Sequence, residues 1–176
     1  VFEDADIDAA LPFLVNAGIQ NAGQTCSASS RILVHQNRYD EVVSKMSERY
    51  SALRVGAATD DLDVGPLISH RQKEIVESYF SKGADLEIAA QGQSVDTAPA
   101  SGAYVRPTLF AGVDRDHILA QEEIFGPVQV VIPFKDEAEA LAIANGTKFG
   151  LVASVWSESG ARQMRLAKQL RAGQIF

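Results

Sequence analysis

Apolar residues spaced three or four apart alternate along the chain with short β-branched runs, and this change of period predicts the elements. Val1-Phe2-Glu3 reads as the end of a strand, and Asp6 or Asp8 can cap the next element. Proline suits the first turn of a helix better than its interior, so Pro12 predicts a short turn and then a helix from Pro12 to Asn21. Leu11, Leu14, Val15, Gly18 and Ile19 form its apolar face. Residues 30–35 form a strand around Arg31-Ile32-Leu33-Val34-His35. Tyr39 to Leu53 is a second helix, with Val42, Val43, Met46, Tyr50 and Leu53 on one face and Glu41, Lys45, Glu48 and Arg49 on the other. Val55 to Leu67, with Gly56, Gly65 and Pro66, reads as a loop. Ser69-His70-Arg71-Gln72 has capping-box spacing. It opens a third helix that buries Ile75, Val76, Tyr79 and Phe80 and stops at Gly83.

The second half continues the alternation. Leu86 to Ala90 reads as a strand, and residues 91–102 as an exposed loop rich in Gly, Ser, Ala and Pro. Val105 to Phe110 is strand-like, but Pro107 assigns it to an edge or an irregular position. Val128 to Phe134 is a continuous run of the kind buried in parallel sheets. Asp136 caps a fourth helix that ends at Asn145-Gly146. Leu151 to Trp156 is a strand, Ser159 to Leu170 a fifth helix stopped by Gly173, and Gln174-Ile175-Phe176 the start of a strand without an evident partner. Strand and helix in alternation predict an α/β fold, a parallel-type sheet flanked by helices in three layers. At 176 residues the chain is long enough for one domain with a sizeable core.

Charge and composition narrow the partners. With 16 basic and 23 acidic residues the formal net charge is -7, which disfavours nucleic acid. No apolar run approaches a membrane span. Glu3, Asp4, Asp6 and Asp8 crowd the opening where a signal peptide would be apolar. A single cysteine forms no intrachain disulfide and fits a reducing compartment, so the expected location is cytoplasmic. His35, His70 and His117 are far apart and show no metal-ligand spacing, so no metal site is expected.

The only cysteine lies in Asn21-Ala22-Gly23-Gln24-Thr25-Cys26-Ser27-Ala28. Polar neighbours on a short connection suit a presented nucleophile. The residue types alone favour an inert, buried thiol over a nucleophile, because reactivity depends on surroundings and not on sequence. Glu122-Glu123 reads either as a solvated acidic pair or as a ligand site, and Phe125 either as core or as part of a pocket.

Gly23-Gln24-Thr25-Cys26 resembles the nucleophile motif of the aldehyde dehydrogenase superfamily, and Glu122-Glu123-Ile124-Phe125-Gly126-Pro127 resembles that family's Glu-x-Phe-Gly-Pro block. The gap between the blocks fits. The opening Val1-Phe2-Glu3-Asp4-Ala5-Asp6-Ile7-Asp8 is similar to the segment after the family's general-base region. Two motifs in the right order are far more specific than either alone. The resemblance implies that Cys26 is the catalytic nucleophile, that Glu123 binds the ribose of the nicotinamide half of NAD or NADP, and that Phe125 lies against the nicotinamide pocket. It implies oxidation of a small-molecule aldehyde to a carboxylic acid through a thiohemiacetal and a thioester, in a homo-oligomer (dimer or tetramer). Ile19 departs from the pattern, since many members carry an aromatic ring there, which bears on the substrate tunnel.

The chain has no Gly-x-Gly-x-x-Gly or Walker-type loop. The family's general-base glutamate and its oxyanion-hole amide belong to segments upstream of Val1, and its last helices and oligomerisation segment to residues beyond Phe176. Residues 1–176 are therefore expected to be part of a catalytic domain, inactive alone. A coenzyme A-acylating semialdehyde dehydrogenase and a non-catalytic structural relative share much of this pattern. A thiol hydrolase would need a histidine beside Cys26.

Overall fold

The computed structural model describes all 176 residues. In chain order the elements are α1 (Ile7–Ile19), β1 (Arg31–His35), α2 (Tyr39–Ala52), β2 (Arg54–Val55), α3 (His70–Lys82), β3 (Glu87–Gln91), β4 (Gln93–Ser94), β5 (Thr108–Ala111), α4 (Ile118–Gln121), β6 (Val128–Phe134), α5 (Glu137–Ala144), β7 (Val152–Ala153), α6 (Gly160–Ala167) and β8 (Gln174–Ile175). The main sheet has the order β1-β6-β5-β3. β6 is parallel to both its neighbours, with Arg31 opposite Val130 and Thr108 opposite Val128. The sheet and its helices have the expected α/β form, with one difference: β3 is antiparallel to β5 and bulges between Ile88 and Ala90. No helix lies between β3 and β5, so the chain can return antiparallel through a loop.

β6 is the axis of the core, buried at every position except Pro133. Helix α1 covers the sheet with the predicted face: Leu11, Leu14, Val15, Gly18 and Ile19 are all buried. It starts earlier than expected, because Asp6 caps it by accepting from the Ala9 N–H at 3.0 Å, a contact of about 1 kcal/mol. Pro12 is therefore inside the helix. It is exposed, so the Asp8 carbonyl it deprives of a donor faces water. Helix α2 buries Val42, Met46 and Tyr50. Helix α3 is capped by Ser69, which accepts from Gln72 at 3.2 Å, but the predicted capping box is half-made. The Gln72 side chain turns instead to the Phe125 carbonyl, at 3.0 Å. Of the face expected on α3, only Val76 is fully buried, and Ile75 is 40% exposed.

Three further expectations are corrected. Pro107 precedes β5, which is not an edge strand: it lies between β6 and β3 with all four residues buried. Pro107 has no N–H to give, and its carbonyl accepts from Gly92 at 2.9 Å, while the ladder begins with Thr108 donating to Pro127 at 2.9 Å. The loops at 55–67 and 91–102 are tied at their starts, where β2 and β4 pair in parallel. Gln174–Phe176 does have a partner: β8 runs parallel to β7, and Phe176 donates to Ala153 at 3.0 Å.

The opening residues lie along β1. The Val1 amine donates to the Leu33 carbonyl at 2.7 Å, and His35 donates to the Val1 carbonyl at 2.9 Å. Phe2 packs edge-on against Phe134 at 5.0 Å. Asp4 then ties this segment to α6, accepting from Ser157 Oγ at 2.9 Å, Ser159 N–H at 3.1 Å and Arg162 Nη1 at 2.7 Å. Burial raises the pKa of the Asp4 carboxyl, but the Ser157 hydroxyl, the Arg162 guanidinium and the Ser159 amide outweigh it and hold the carboxyl below its ordinary range.

Candidate active site

Three consecutive residues at the end of α1 take the left-handed conformation: Asn21 (φ 53°), Ala22 (φ 55°) and Gly23 (φ 72°). Asn and Gly enter that region readily, whereas Ala22 costs about 1–2 kcal/mol there. The turn is held by reciprocal bonds, Asn21 Nδ2 to the Gln24 carbonyl at 3.0 Å and Gln24 Nε2 to the Asn21 carbonyl at 3.1 Å. Gln24 Oε1 accepts from the Ile68 N–H at 2.9 Å, which ties the loop to the segment before α3.

Gly23 sits directly on the second motif. A Cβ there would be 2.0 Å from the Gly126 carbonyl oxygen and 2.6 Å from the Pro127 nitrogen. Gly126 is held just as closely from its other side, where a Cβ would meet Val76 Cγ2 at 2.5 Å. The two motifs, a hundred residues apart in sequence, thus touch backbone to backbone, and no side chain fits between them.

Beyond Gly23 the chain turns back at Thr25–Ala28, closed by the Ala28 N–H on the Thr25 carbonyl at 2.9 Å. Cys26 is at the tip and exposed. Within residues 1–176 the thiol is therefore not a buried one. The Cys26 backbone N–H has no acceptor within the chain. Further on, Ser29 donates to the Ala17 carbonyl at 3.0 Å and re-anchors the loop on α1.

The second motif begins where α4 ends. Helix α4, which the sequence pattern does not indicate, is capped by His117, whose Nδ1 accepts from Leu119 at 3.2 Å. Glu122 and Glu123 point different ways, as adjacent residues of an extended segment must. Glu122 pairs with Lys148 at 3.2 Å, an exposed contact of about 0–1 kcal/mol. Glu123 is exposed and has no such partner. Ile124 is buried and fixes the segment, while Phe125, in the left-handed region at φ 57°, keeps its ring 38% exposed. A non-glycine residue held there at a cavity wall stores strain.

Cys26, Glu123 and Phe125 all line one trough of about 1480 Å³, together with Phe149 and Trp156. All three residues singled out from the sequence thus open onto one broad trough, which many other residues also line. The structure places no histidine on that wall. His35 is buried at the end of β1. Its Nδ1 accepts from Asn37 at 3.3 Å, so its Nε2 carries the proton and donates to the Lys135 carbonyl at 3.0 Å. No three His, Cys, Asp or Glu side chains cluster as metal ligands, and no helix is long and apolar enough to cross a membrane.

Two supporting residues, Lys148 and Gln129, escaped the sequence reading, and Gln72, expected in a capping box, supports the Phe125 carbonyl instead. Lys148 carries no local signal. Gln129 does: it is the one polar residue in the apolar run Val128-Gln129-Val130-Val131-Ile132, and it is completely buried.

The whole chain, residues 1–176, matches the model of the aldehyde dehydrogenase family. The 5-carboxymethyl-2-hydroxymuconate semialdehyde dehydrogenase of Escherichia coli is 41% identical over 184 aligned residues, which cover 100% of this chain and 39% of that protein. A crystal structure from Burkholderia cenocepacia, of a protein assigned to the aldehyde dehydrogenases, is 52% identical with a TM-score of 0.99, over 100% of this chain and 38% of that one. The NAD+ complex of an aldehyde dehydrogenase from Bacillus cereus is 36% identical with a TM-score of 0.92, over 99% of this chain and 35% of that one. The chain thus spans well under half the length of these relatives, and it belongs to the aldehyde dehydrogenase family.

Proposed function

We propose that these residues are the cysteine-bearing part of an NAD- or NADP-dependent aldehyde dehydrogenase that makes carboxylic acids, with Cys26 as nucleophile. The observation that supports the reading is the seating of Gly23 on Gly126, which joins the cysteine loop to the segment of Glu123 and Phe125, all three residues lining one trough.

As a thiolate, Cys26 Sγ adds to the aldehyde carbon. A C–S bond forms, and the carbonyl π pair moves onto oxygen. The unpartnered Cys26 N–H is a donor for that oxyanion. The chemistry that a nicotinamide dinucleotide supplies when bound is acceptance of hydride from the same carbon, which leaves a thioester on Sγ. Water then adds to the thioester, the C–S bond breaks, and carboxylate and thiolate separate. By the family resemblance, the base that takes the water's proton belongs to a segment before Val1.

The residues present fit the nicotinamide end of such a cofactor. Lys148 engages Glu122 and leaves the Glu123 carboxylate open to accept from vicinal ribose hydroxyls. The Phe125 ring is held at the trough wall instead of in the core, as an apolar surface for a planar ring. The relatives from Bacillus cereus and Mycobacterium tuberculosis and a 1-pyrroline-5-carboxylate dehydrogenase from Thermus were each solved with NAD+.

In the full-length enzyme, Cys26→Ala should lower aldehyde oxidation by about a thousandfold or more, with cofactor binding by fluorescence titration kept. Turnover above a few per cent of wild type would remove Cys26 as nucleophile. Glu123→Gln should slow single-turnover hydride transfer, read with deuterated aldehyde, by roughly a hundredfold, the cost of a displacement of about 1 Å. Its alkylation by iodoacetamide should stay at the wild-type rate. Unchanged hydride transfer would leave Glu123 as a surface carboxylate.

A further inference from the structure

Gln129, on β6, is fully buried, and its amide spends every strong contact on elements around Cys26. Its Nε2 donates to the Leu14 carbonyl of α1 at 3.0 Å and to the Ser29 carbonyl at the far end of the nucleophile loop. Its Oε1 accepts from the Tyr50 hydroxyl of α2. This network fixes which way the amide points. Reversed, the oxygen would face two carbonyl oxygens. Burial pushes the Tyr50 phenol's pKa well up, so the hydroxyl remains a donor.

The room for this side chain comes from Gly18. A Cβ there would be 2.1 Å from Gln129 Cδ and 2.5 Å from Nε2. The chain thus leaves a gap in the packed face of α1 and fills it with an amide that reaches Ser29. Both supports of the loop come from the start of β6. Gly126 bears on Gly23 at one end, and Gln129 holds Ser29 at the other. Before Cys26 the loop is also held by Gln24 on Asn21 and Ile68, and after it the Thr25–Ala28 turn leads into Ser29, whose N–H is on Ala17 and whose carbonyl is on Gln129.

We propose that Gln129 is a positioning residue for Cys26: its amide, oriented by Tyr50 and admitted by Gly18, clamps the nucleophile loop at the Ser29 carbonyl. The catalytic consequence rests on the function proposed above; the clamp itself can be read without it.

The test compares Gln129→Met, Tyr50→Phe, Gly18→Ala and the double variant Gly18→Ala/Gln129→Met in the full-length enzyme, with Ile132→Val as a core truncation elsewhere on β6. Two quantities are read on folded protein: the rate of Cys26 alkylation by iodoacetamide across pH, and kcat against KM for aldehyde and for NAD. The Met variant keeps the length of the side chain and loses both N–H donors. It should change the alkylation rate and lower kcat by about tenfold or more, with KM for NAD within about twofold, because small displacements of a reacting atom act on the chemical step. Tyr50→Phe should move both readouts the same way by less. Gly18→Ala should resemble Gln129→Met, and the double variant should be no worse than Gln129→Met alone, since both break one clamp. Ile132→Val should lower Tm without moving either readout. If Gln129→Met does not fold, the comparison of Tyr50→Phe with Ile132→Val decides. Wild-type alkylation and kcat in Gln129→Met or in Tyr50→Phe would overturn the proposal and leave Gln129 as a core residue. Altered alkylation in a protein whose wild type oxidises no aldehyde would sustain the clamp and overturn the function.

Discussion

The contact on which the site depends is between two backbones. Gly23 and the Gly126 carbonyl approach so closely that a single methyl group between them would lie 2.0 Å from the oxygen. Such an approach is available only to glycine, and the positive φ of Gly23 demands it a second time. Asn21 enters the left-handed region readily, but the neighbouring Ala22 has no favourable reason to adopt it locally. Ala22 is carried there because α1 is fixed by seven buried positions and one cap, and the chain has to reach Gly126 within a few residues of its end. The core thus offsets strain at the loop that bears Cys26, an arrangement that recurs at functional sites.

β6 converts that contact into a fixed place for the thiol. It lies between two parallel neighbours and is buried along nearly its whole length, so its first residues have little freedom. Gly126 and Pro127 lead into it, Phe125 and Glu123 precede it, and Gln129 projects from it. One rigid strand therefore supports the loop at both ends and also presents the exposed carboxylate and ring opposite. Nothing comparable is needed from the loop itself, which explains why Cys26 can sit at an exposed turn with few contacts of its own.

Much of this is legible in the sequence, for definite reasons. The period of apolar residues marks α1, α2, β1 and β6 because those elements bury one continuous face or are buried outright. The two motifs name the three residues that the trough unites. The failures have equally local causes. Propensity alone puts Pro12 in a first turn, and tertiary packing of the opposite face overrides it. Pro107 marks where a central strand begins, and a proline at that point carries the same signal as one at an edge. The antiparallel β3, the four-residue α4 and the short β2–β4 and β7–β8 pairs depend on partners remote in sequence and leave no periodic trace. Gln129 does leave a trace, a polar residue in an apolar strand, and its meaning becomes plain only with Gly18 beside it.

The two ends of the chain are held by different physics from the centre. Around β6 the structure is apolar and closed. At α6, β7 and β8 it is open: Leu151 is 51% exposed, Met164 60% and Phe176 72%. Leu166 joins the core, with Val155, Trp156 and Leu170 packed against it, and an ionic network adds to that attachment. Asp4 and Glu3 hold Arg162, Glu137 joins Arg162 and Arg165, and the Arg162 guanidinium lies 4.6 Å over the Phe2 ring. A network of this kind gives direction more than strength, because part of its Coulomb gain is offset by desolvation; the Arg162 Nε is buried without an acceptor. It fixes the Val1–Asp4 segment against α6 and so shapes the trough wall at Trp156 and Phe149. The supports of the Cys26 loop, Gly126 and Gln129, belong instead to the apolar centre around β6, so the loop and the α6 end of the chain are held by separate sets of contacts.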